Sequence, residues 1–241
     1  RQVRDFCLLL TYGYQKLEES IEGTLVQCHF PGSQEALARE VLQQAGQMLH
    51  YYSCRFGSYP YPEFKVAFVP MQGFNGMEYS GLIFLREEFL QAGNDIEKQK
   101  FILAHEIAHQ WWYGIVGSDQ LGEPWLDEGL ANWSAYHYLH DLEGQALPTP
   151  ASVPTAIDLS KELGQMYSRQ DYYLTAYTGG EAFWWGLEEK LGQTGVLKVL
   201  RSYLAGNRND IATAQKLIEI IKKEAQQNMD EYLNKWFPSE T

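Results

Sequence analysis

Residues 101–112 read FILAHEIAHQWW and contain two histidines, His105 and His109, four positions apart. Apolar residues surround the pair on both sides, which predicts a buried helix over this stretch. Residues four apart on a helix lie on one face, one turn apart, so the two imidazoles point the same way. That is the separation at which two imidazole nitrogens can bind one tetrahedral metal ion. Glu106 follows the first histidine and could take a proton from a water molecule at the open position of such an ion.

A third ligand for the same ion lies further along the chain. Eighteen residues separate His109 from Glu128, which belongs to the segment WLDEGLA at 125–131. The intervening residues include three glycines and Pro124, as expected for a reversal between two packed helices. Two neutral imidazoles and one carboxylate leave a fourth position for water, which is the ligand set of catalytic zinc. Asp127 could compete for the role but points about 100° away around the helix, so it ranks second.

The composition argues against several classes of partner. The 241 residues contain 19 Lys and Arg against 31 Asp and Glu, a net charge of −12. Nucleic acids and anionic membrane surfaces both favour clustered cations, so neither is expected as the main partner. No apolar run reaches the roughly 18 residues that a membrane span needs, so no membrane contact by this domain itself is expected. The chain opens at Arg1 with no signal segment, which suggests a piece of a longer protein whose compartment stays unknown.

The order of predicted elements indicates an α+β fold in two lobes, a small mixed lobe at 1–96 and a mainly helical lobe at 97–241. One helix of about 20 residues is expected between an N-cap at Ser33 and Gly57. A Glu22-Gly23 turn is expected before the second strand. The predicted strands are 3–12, 24–30, 64–69 and 81–85, and the later helices are 97–113, 124–142, 171–191, 195–205, 213–227 and 229–237, with a proline-rich loop at 145–160.

The combination of HEIAH, eighteen residues and a Glu within WLDEGLA resembles the gluzincin metallopeptidases, specifically the membrane alanyl aminopeptidase and leukotriene hydrolase family. The resemblance covers essentially the whole chain and implies a thermolysin-like, two-lobed catalytic domain. It implies zinc held by His105, His109 and Glu128, with a zinc-bound water activated by Glu106 for hydrolysis of the N-terminal peptide bond. Residues 1–12 would then be the tail of a preceding β-domain, and further domains of the parent protein would flank this one.

A second segment, NGMEY at 75–79, resembles the family's Gly-x-Met-Glu-Asn exopeptidase motif. The resemblance implies that Glu78 binds the protonated N-terminus of a peptide through a charge-assisted hydrogen bond. The backbone of Gly76 and Met77 is expected to pair with the extended substrate as an added strand. The sequence departs from the motif at both ends, because Asn75 replaces the usual Gly and Tyr79 the usual Asn.

A third segment, YTGG at 177–180, resembles the family's catalytic tyrosine segment. The resemblance implies that the Tyr177 hydroxyl donates to the oxyanion of the tetrahedral intermediate. The following glycines are expected to let the backbone come near a ligand. Tyr172 and Tyr173 lie close by, and any of the three tyrosines could instead be core packing. The Lys that is common before the last Gly of this segment is Gly179 here.

The principal prediction is a zinc aminopeptidase acting on peptides with a free N-terminus. The alternatives are a gluzincin endopeptidase, which would have no use for Glu78, and an epoxide hydrolase acting on a lipid. An inactive scaffold is disfavoured because all three zinc ligands are kept. Ala135 stands where many relatives carry a carboxylate, so another group must orient a zinc-bound imidazole. Relatives also use a Gln from the β-domain and a helical C-terminal domain, so a weakly active excised domain is a further alternative.

Overall fold

The computed structural model describes residues 3–91, 95–148 and 157–238. The chain forms two compact units, an N-terminal unit at 1–114 and a C-terminal unit at 115–241. The N-terminal unit contains a mixed five-stranded sheet and helices, and the C-terminal unit is helical, so the α+β prediction is confirmed. No helix in these described ranges has the length and apolar character that a membrane crossing requires.

The sheet of the N-terminal unit has the order β1-β2-β3-β5-β4. Its outer pairs, β1 with β2 and β4 with β5, are antiparallel, whereas β3 is parallel to both of its neighbours. Strand β4 is therefore an edge strand, paired within the sheet to β5 alone. The strands are β1 Tyr14–Ile21, β2 Thr24–Pro31, β3 Glu63–Val69, β4 Gly76–Tyr79 and β5 Leu82–Arg86.

The first strand is not where the apolar pattern predicts it. The strand expected at 3–12 is wrong, because the first strand is Tyr14–Ile21 and the apolar side chains Phe6 and Leu10 before it are exposed. The predicted Glu22-Gly23 turn is confirmed, with φ of 50° and 84°, and it joins β1 to β2. A two-residue turn of this kind pairs the residues that flank it directly. Because β1 is an edge strand, most of its side chains face solvent, and its sequence is polar.

The two helices of the N-terminal unit lie against the sheet. Helix α1, Glu35–Phe56, matches its prediction except that it begins after Gln34 rather than at a Ser33 cap. Helix α2, Ile96–Ala108, carries His105 in its last turn, and His109 is its C-cap residue. The Tyr52 hydroxyl of α1 donates to the Ala104 carbonyl of α2 over 3.0 Å.

The predicted helix 97–113 is too long at its C-terminal end. The chain leaves α2 after Ala108 through a series of turns, in which Trp111 donates to the Ala108 carbonyl and Tyr113 has a φ of 150°. Helix α2 contacts α1, β4 and β5. The boundary between the compact units therefore lies after Gly114, whereas the sequence predicts the boundary between the mixed lobe and the helical lobe after residue 96.

The C-terminal unit is built around helix α3, which packs against α5 and the π-helical segment before it. Helix α3 begins after Pro124 and ends at Gly144 with a φ of 69°, close to the predicted 124–142. The predicted helix 171–191 spans α4, the π-helical segment and the first part of α5. Helix α5 is kinked at Gly192, where φ is 69°, close to the predicted break between 191 and 195. Part of the predicted loop at 145–160 lies outside the described residues. The elements are α3 Trp125–Glu143, α4 Arg169–Tyr172, a π-helix Tyr173–Gly179, α5 Gly180–Gly206, α6 Ala214–Glu224 and α7 Asp230–Trp236.

Candidate active site

The two motif histidines form a close pair inside the N-terminal unit. The Nε2 atoms of His105 and His109 are 3.1 Å apart, and the side chains are 5% and 0% exposed. His109 Nδ1 lies 3.0 Å from the Trp112 carbonyl oxygen, which can only accept a hydrogen bond. Nδ1 of the neutral ring therefore carries the proton, and the lone pair of Nε2 faces His105.

This donor pair fits a zinc ion. Two nitrogens 3.1 Å apart can both lie at the usual Zn–N distance of about 2.0–2.1 Å from one ion. Zinc-binding imidazoles almost always donate their other ring N–H to a carbonyl or carboxylate. For His109 the Trp112 carbonyl fills that role. A backbone carbonyl can therefore orient this ring. The sequence pattern did not reveal this group, which could take the place of the carboxylate that many relatives carry at position 135.

Glu106 lies against the edge strand of the sheet. Its side chain is 5% exposed, and a Cβ atom added to Gly76 would fall 2.2 Å from Glu106 Oε1. Glu78, two residues further along β4, offers a carboxylate oxygen that lies within 4.8 Å of ligand atoms of both Glu106 and His109. The structure thus brings together five of the predicted residues within one unit: Gly76, Glu78, His105, Glu106 and His109.

The segment around Glu78 is a strand rather than a loop. Residues Gly76–Tyr79 form β4, in register with β5 through Met77 opposite Phe84 and Glu78 opposite Ile83. All four residues of β4 are half-buried. An edge strand offers backbone N–H and C=O groups to an added chain, as expected of a peptide-binding edge.

In the C-terminal unit, Glu128 and Tyr177 are in direct contact. The Tyr177 hydroxyl donates to Glu128 Oε1 over 2.8 Å, and Glu128 is 8% exposed. The rings of Tyr172 and Tyr173 lie 5.9 and 5.0 Å from the Tyr177 ring, and Tyr173 is 42% exposed. Tyr177 therefore lies beside the predicted ligand Glu128, and its role toward an oxyanion stays a prediction.

Asp127 has a different set of partners. Its Oδ2 accepts hydrogen bonds from Ser118 Oγ at 2.7 Å and Gln120 Nε2 at 3.0 Å, while its Oδ1 accepts from the Glu128 N–H at 2.9 Å. The side chain therefore holds the turn before α3 in place. This assignment leaves Glu128 as the ligand candidate of the segment.

The glycines after Tyr177 approach another helix rather than a ligand. A Cβ on Gly180 would fall 2.9 Å from Gly129 Cα of α3, and one on Gly129 would fall 2.5 Å from the Gly180 carbonyl carbon. A Cβ on Gly179 would fall 2.6 Å from Ile157 Cγ2. Gly129 and Gly180 therefore let two helix backbones touch, and the expectation that the glycines after Tyr177 also admit a ligand stays a prediction.

A second polar link between these helices was not predicted. Glu181 follows Gly180 on α5, and its carboxylate accepts hydrogen bonds from Asn132 Nδ2 at 3.2 Å and Trp185 Nε1 at 3.1 Å. Burial raises the pKa of the Glu181 carboxyl above its usual range. Asn132 and Glu181 each lie four residues after the contacting pair Glu128 and Tyr177. In the sequence, the signal for this link is a second polar residue four positions after Glu128 and another four positions after Tyr177.

Comparison with known proteins identifies a family and several relatives. The model of the peptidase family M1 domain matches residues 40–236. The chain is 22% identical to Aminopeptidase M1-B of Oryza sativa subsp. japonica, covering 90% of this chain and 27% of that protein. It is 26% identical to Probable aminopeptidase 1 of Saccharolobus solfataricus, covering 95% of this chain and 32% of that protein.

A further relative is the Puromycin-sensitive aminopeptidase of Caenorhabditis elegans, 26% identical over 74% of this chain and 21% of that protein. The chain therefore spans less than a third of the length of these curated relatives. The family match covers most of the chain and contains both histidines, Glu106, Glu128 and Tyr177. With its paired imidazoles and the adjoining edge strand, this chain belongs to peptidase family M1.

Proposed function

We propose that this chain is a zinc-dependent aminopeptidase domain that hydrolyses the N-terminal peptide bond of peptides with a free amine. The observation that carries the proposal is the position of Glu78, whose carboxylate lies within 4.8 Å of ligand atoms of Glu106 and His109. A carboxylate at that point can hold a protonated amine close to the reacting carbonyl. The names of the M1 relatives support the same activity. The proposal includes a thermolysin-like, two-lobed catalytic domain, flanked in the parent protein by further domains.

The metal would be held by His105, His109 and Glu128. The 3.1 Å separation of the two Nε2 atoms supports the first two ligands. The spacing of Glu128 in the sequence and its buried carboxylate support the third. Bound zinc supplies a Lewis acid that lowers the pKa of water and polarises a carbonyl group. One anionic ligand among three keeps the site positively charged, which favours that chemistry.

Glu106 acts as general base and then as general acid. It takes a proton from the attacking water and delivers a proton to the nitrogen of the leaving amine. The carboxylate is confined by the β4 backbone at Gly76, which holds it in one place relative to an incoming peptide. Such confinement lowers the cost of orienting the base for each turnover.

Tyr177 stabilises the oxyanion that forms on the substrate carbonyl. Its hydroxyl donates to Glu128 over 2.8 Å, so the phenol is oriented toward a carboxylate that we assign to the metal. A phenol has a single O–H to donate, so the hydroxyl would turn from Glu128 to the substrate oxygen, where a neutral donor stabilises the developing negative charge.

Glu78 and the β4 backbone bind the substrate. An extended peptide would add to the exposed edge of β4 at Gly76 and Met77, with its protonated amine on Glu78. The substrate then stops at Glu78, so that only its first peptide carbonyl reaches the reacting groups. This arrangement favours an exopeptidase over the alternative endopeptidase, which would require an open-ended cleft.

Metal analysis and kinetics on the 241-residue chain test the proposal. The wild type should hold one zinc, and the double variant H105A/H109A should hold none and melt at a lower temperature. The variant H140A, which removes an exposed histidine, is the matched control. Full zinc occupancy in the double variant would overturn the ligand assignment.

The role of the base is tested separately by Glu106→Gln. This variant should keep its zinc and lose about 10²- to 10⁴-fold in kcat, because it removes proton transfer but no ligand. Glu97→Gln, which neutralises an exposed carboxylate on the same helix, should keep normal kinetics. Near-normal turnover by Glu106→Gln would assign the base to another residue.

A further inference from the structure

The side chain of Gln110 joins the residue after His109 to the turn between β4 and β5. Gln110 is 0% exposed. Its Oε1 accepts a hydrogen bond from the Gly81 N–H at 2.8 Å, and its Nε2 donates to the Tyr79 carbonyl at 3.0 Å. Both ends of the carboxamide are therefore satisfied by backbone groups of one turn, and rotating the amide by half a turn would lose both bonds.

The turn that Gln110 binds begins two residues after Glu78. Tyr79 is the last residue of β4 and pairs with Leu82 of β5, which leaves Ser80 and Gly81 as the turn. A φ of 78° at Gly81 favours glycine there. Any movement of this turn therefore moves the carboxylate of Glu78, only two residues away along the chain.

The opposite end of β4 lies against Glu106 of α2. Gly76 packs against Glu106, whose Oε1 would lie 2.2 Å from a Cβ at position 76. Glu106 and Gln110 are four residues apart in the sequence, so the strand is held at both ends by one short stretch of chain. Glu78 lies between the two attachments, with its carboxylate within 4.8 Å of ligand atoms of Glu106 and His109.

We propose that Gln110 is a positioning residue that sets the distance from Glu78 to the histidine pair, and thereby selects the first peptide bond of the substrate. The inference rests on the proposed aminopeptidase function and deepens it. Gln110 does not touch the substrate in this account but acts through Glu78. A displacement of about 1 Å at a substrate-positioning group can cost about 10²-fold in rate, so we expect the loss of the two Gln110 hydrogen bonds to lower the rate.

A second attachment keeps the turn folded when Gln110 is changed. The Ser80 N–H donates to Asp5 Oδ1 at 2.9 Å, and Asp5 Oδ2 accepts from the Tyr113 hydroxyl at 3.0 Å. The variant Gln110→Met has a side chain of similar length and no amide. We therefore expect it to retain the β4–β5 hairpin but to lose the two hydrogen bonds between residue 110 and the turn.

The test is a double-mutant cycle between Gln110→Met and Glu78→Ala on the full chain. It measures kcat and KM on an aminoacyl arylamide, zinc content and melting temperature. Gln110→Met alone should keep its zinc and lose about 10- to 100-fold in kcat/KM. In the Glu78→Ala background the same substitution should change kcat/KM by less than about 3-fold, because the residue it acts through is already gone. Gln99→Met, at a buried glutamine of α2, is the matched control.

Two results overturn the positioning role. One is an unchanged kcat/KM in Gln110→Met, and the other is an equal loss in both backgrounds, which indicates a role independent of Glu78. If Gln110→Met melts below the assay temperature, Gln110→Asn replaces it in the cycle, and the same two results would overturn the positioning role. A wild type that cleaves N-acetylated and free peptides alike contradicts the proposed function instead, and the positioning role falls with it.

Discussion

Gly76 of strand β4 lies so close to Glu106 of helix α2 that a Cβ atom at position 76 would fall 2.2 Å from the Glu106 Oε1 atom. No side chain can be added at this point unless the carboxylate or the strand moves. The contact joins the proposed peptide-binding edge directly to the proposed general base. A substitution at Gly76 therefore perturbs the chemistry without removing any ligand of the metal.

The first prediction concerns Gly76→Ala. The added methyl group should displace Glu106 or push β4 away from α2, and kcat/KM should fall about 10- to 100-fold, in line with the cost of misplacing a reacting group. Zinc content should stay at the wild-type value because His105 and His109 are untouched. Gly164→Ala is the control, because no atom of the described residues beyond its chain neighbours lies within 4 Å of the new methyl. Wild-type kinetics in Gly76→Ala would show that the close contact is not functional.

The second prediction concerns the glycine contact in the C-terminal unit. In Gly180→Ala the new methyl would lie 2.9 Å from both Gly129 Cα and the Trp125 carbonyl oxygen. Overpacking of this kind costs about 1–3 kcal/mol, so thermal unfolding should begin at a lower temperature. Gly206→Ala, at the end of the same helix, is the control, because in the part of the chain that the structure describes the new methyl would meet no atom within 4 Å outside its own helical turn. Gly206→Ala should leave the melting temperature unchanged or slightly raised. An unchanged melting temperature in Gly180→Ala would contradict the packing of Gly180 against α3.

The third prediction concerns the pH dependence of stability through Glu181. Burial raises the pKa of this carboxyl in the folded chain, so the folded state binds the proton more tightly than the unfolded state. Its contribution to stability is fully present below the ordinary value of 4.5 and is lost as the pH rises through the raised pKa. Glu181→Gln stays neutral, so its melting temperature relative to wild type should be higher at pH 7 than at pH 4.

Thermal unfolding of both proteins in the presence of EDTA checks this prediction without interference from metal binding. Glu189→Gln, which removes an exposed carboxylate from the same helix, controls for the general loss of negative charge. A difference in melting temperature that is the same at both pH values, or larger at pH 4, would contradict a buried Glu181 that resists ionisation.

Part of this structure was predictable because some local patterns carry their own physical reason. The spacing of His105 and His109 on an apolar stretch predicts a shared ion, and the Nε2 atoms are 3.1 Å apart. The turn at Glu22-Gly23 and the stop at Gly57 are confirmed because turn and cap preferences act locally. The edge strand 14–21 was missed because a strand with one exposed face has a polar sequence.

The remaining features depend on contacts between distant segments. Strand β4 has only four half-buried residues, too few for an alternating pattern to identify it. The carbonyl of Trp112 that orients His109 is a backbone group, which no side-chain motif reveals. Gln110 has the ordinary appearance of a polar residue beyond a helix end, and its two bonds to the β4–β5 turn exist only in the folded chain.

The measurement that tests the central claim most directly compares cleavage of one peptide with a free or an acetylated N-terminus, by wild type and by Glu78→Ala, with product analysis by mass spectrometry. The wild type should release only the first residue of the free peptide and should not cleave the acetylated one. Glu78→Ala should lose about 30- to 1,000-fold in kcat/KM on the free peptide, since a charge-assisted contact of about 2–4 kcal/mol is removed. Glu63→Ala, at an exposed carboxylate of β3, should match the wild type. Internal cleavage of the acetylated peptide at a rate similar to the free one would contradict the aminopeptidase assignment and favour an endopeptidase.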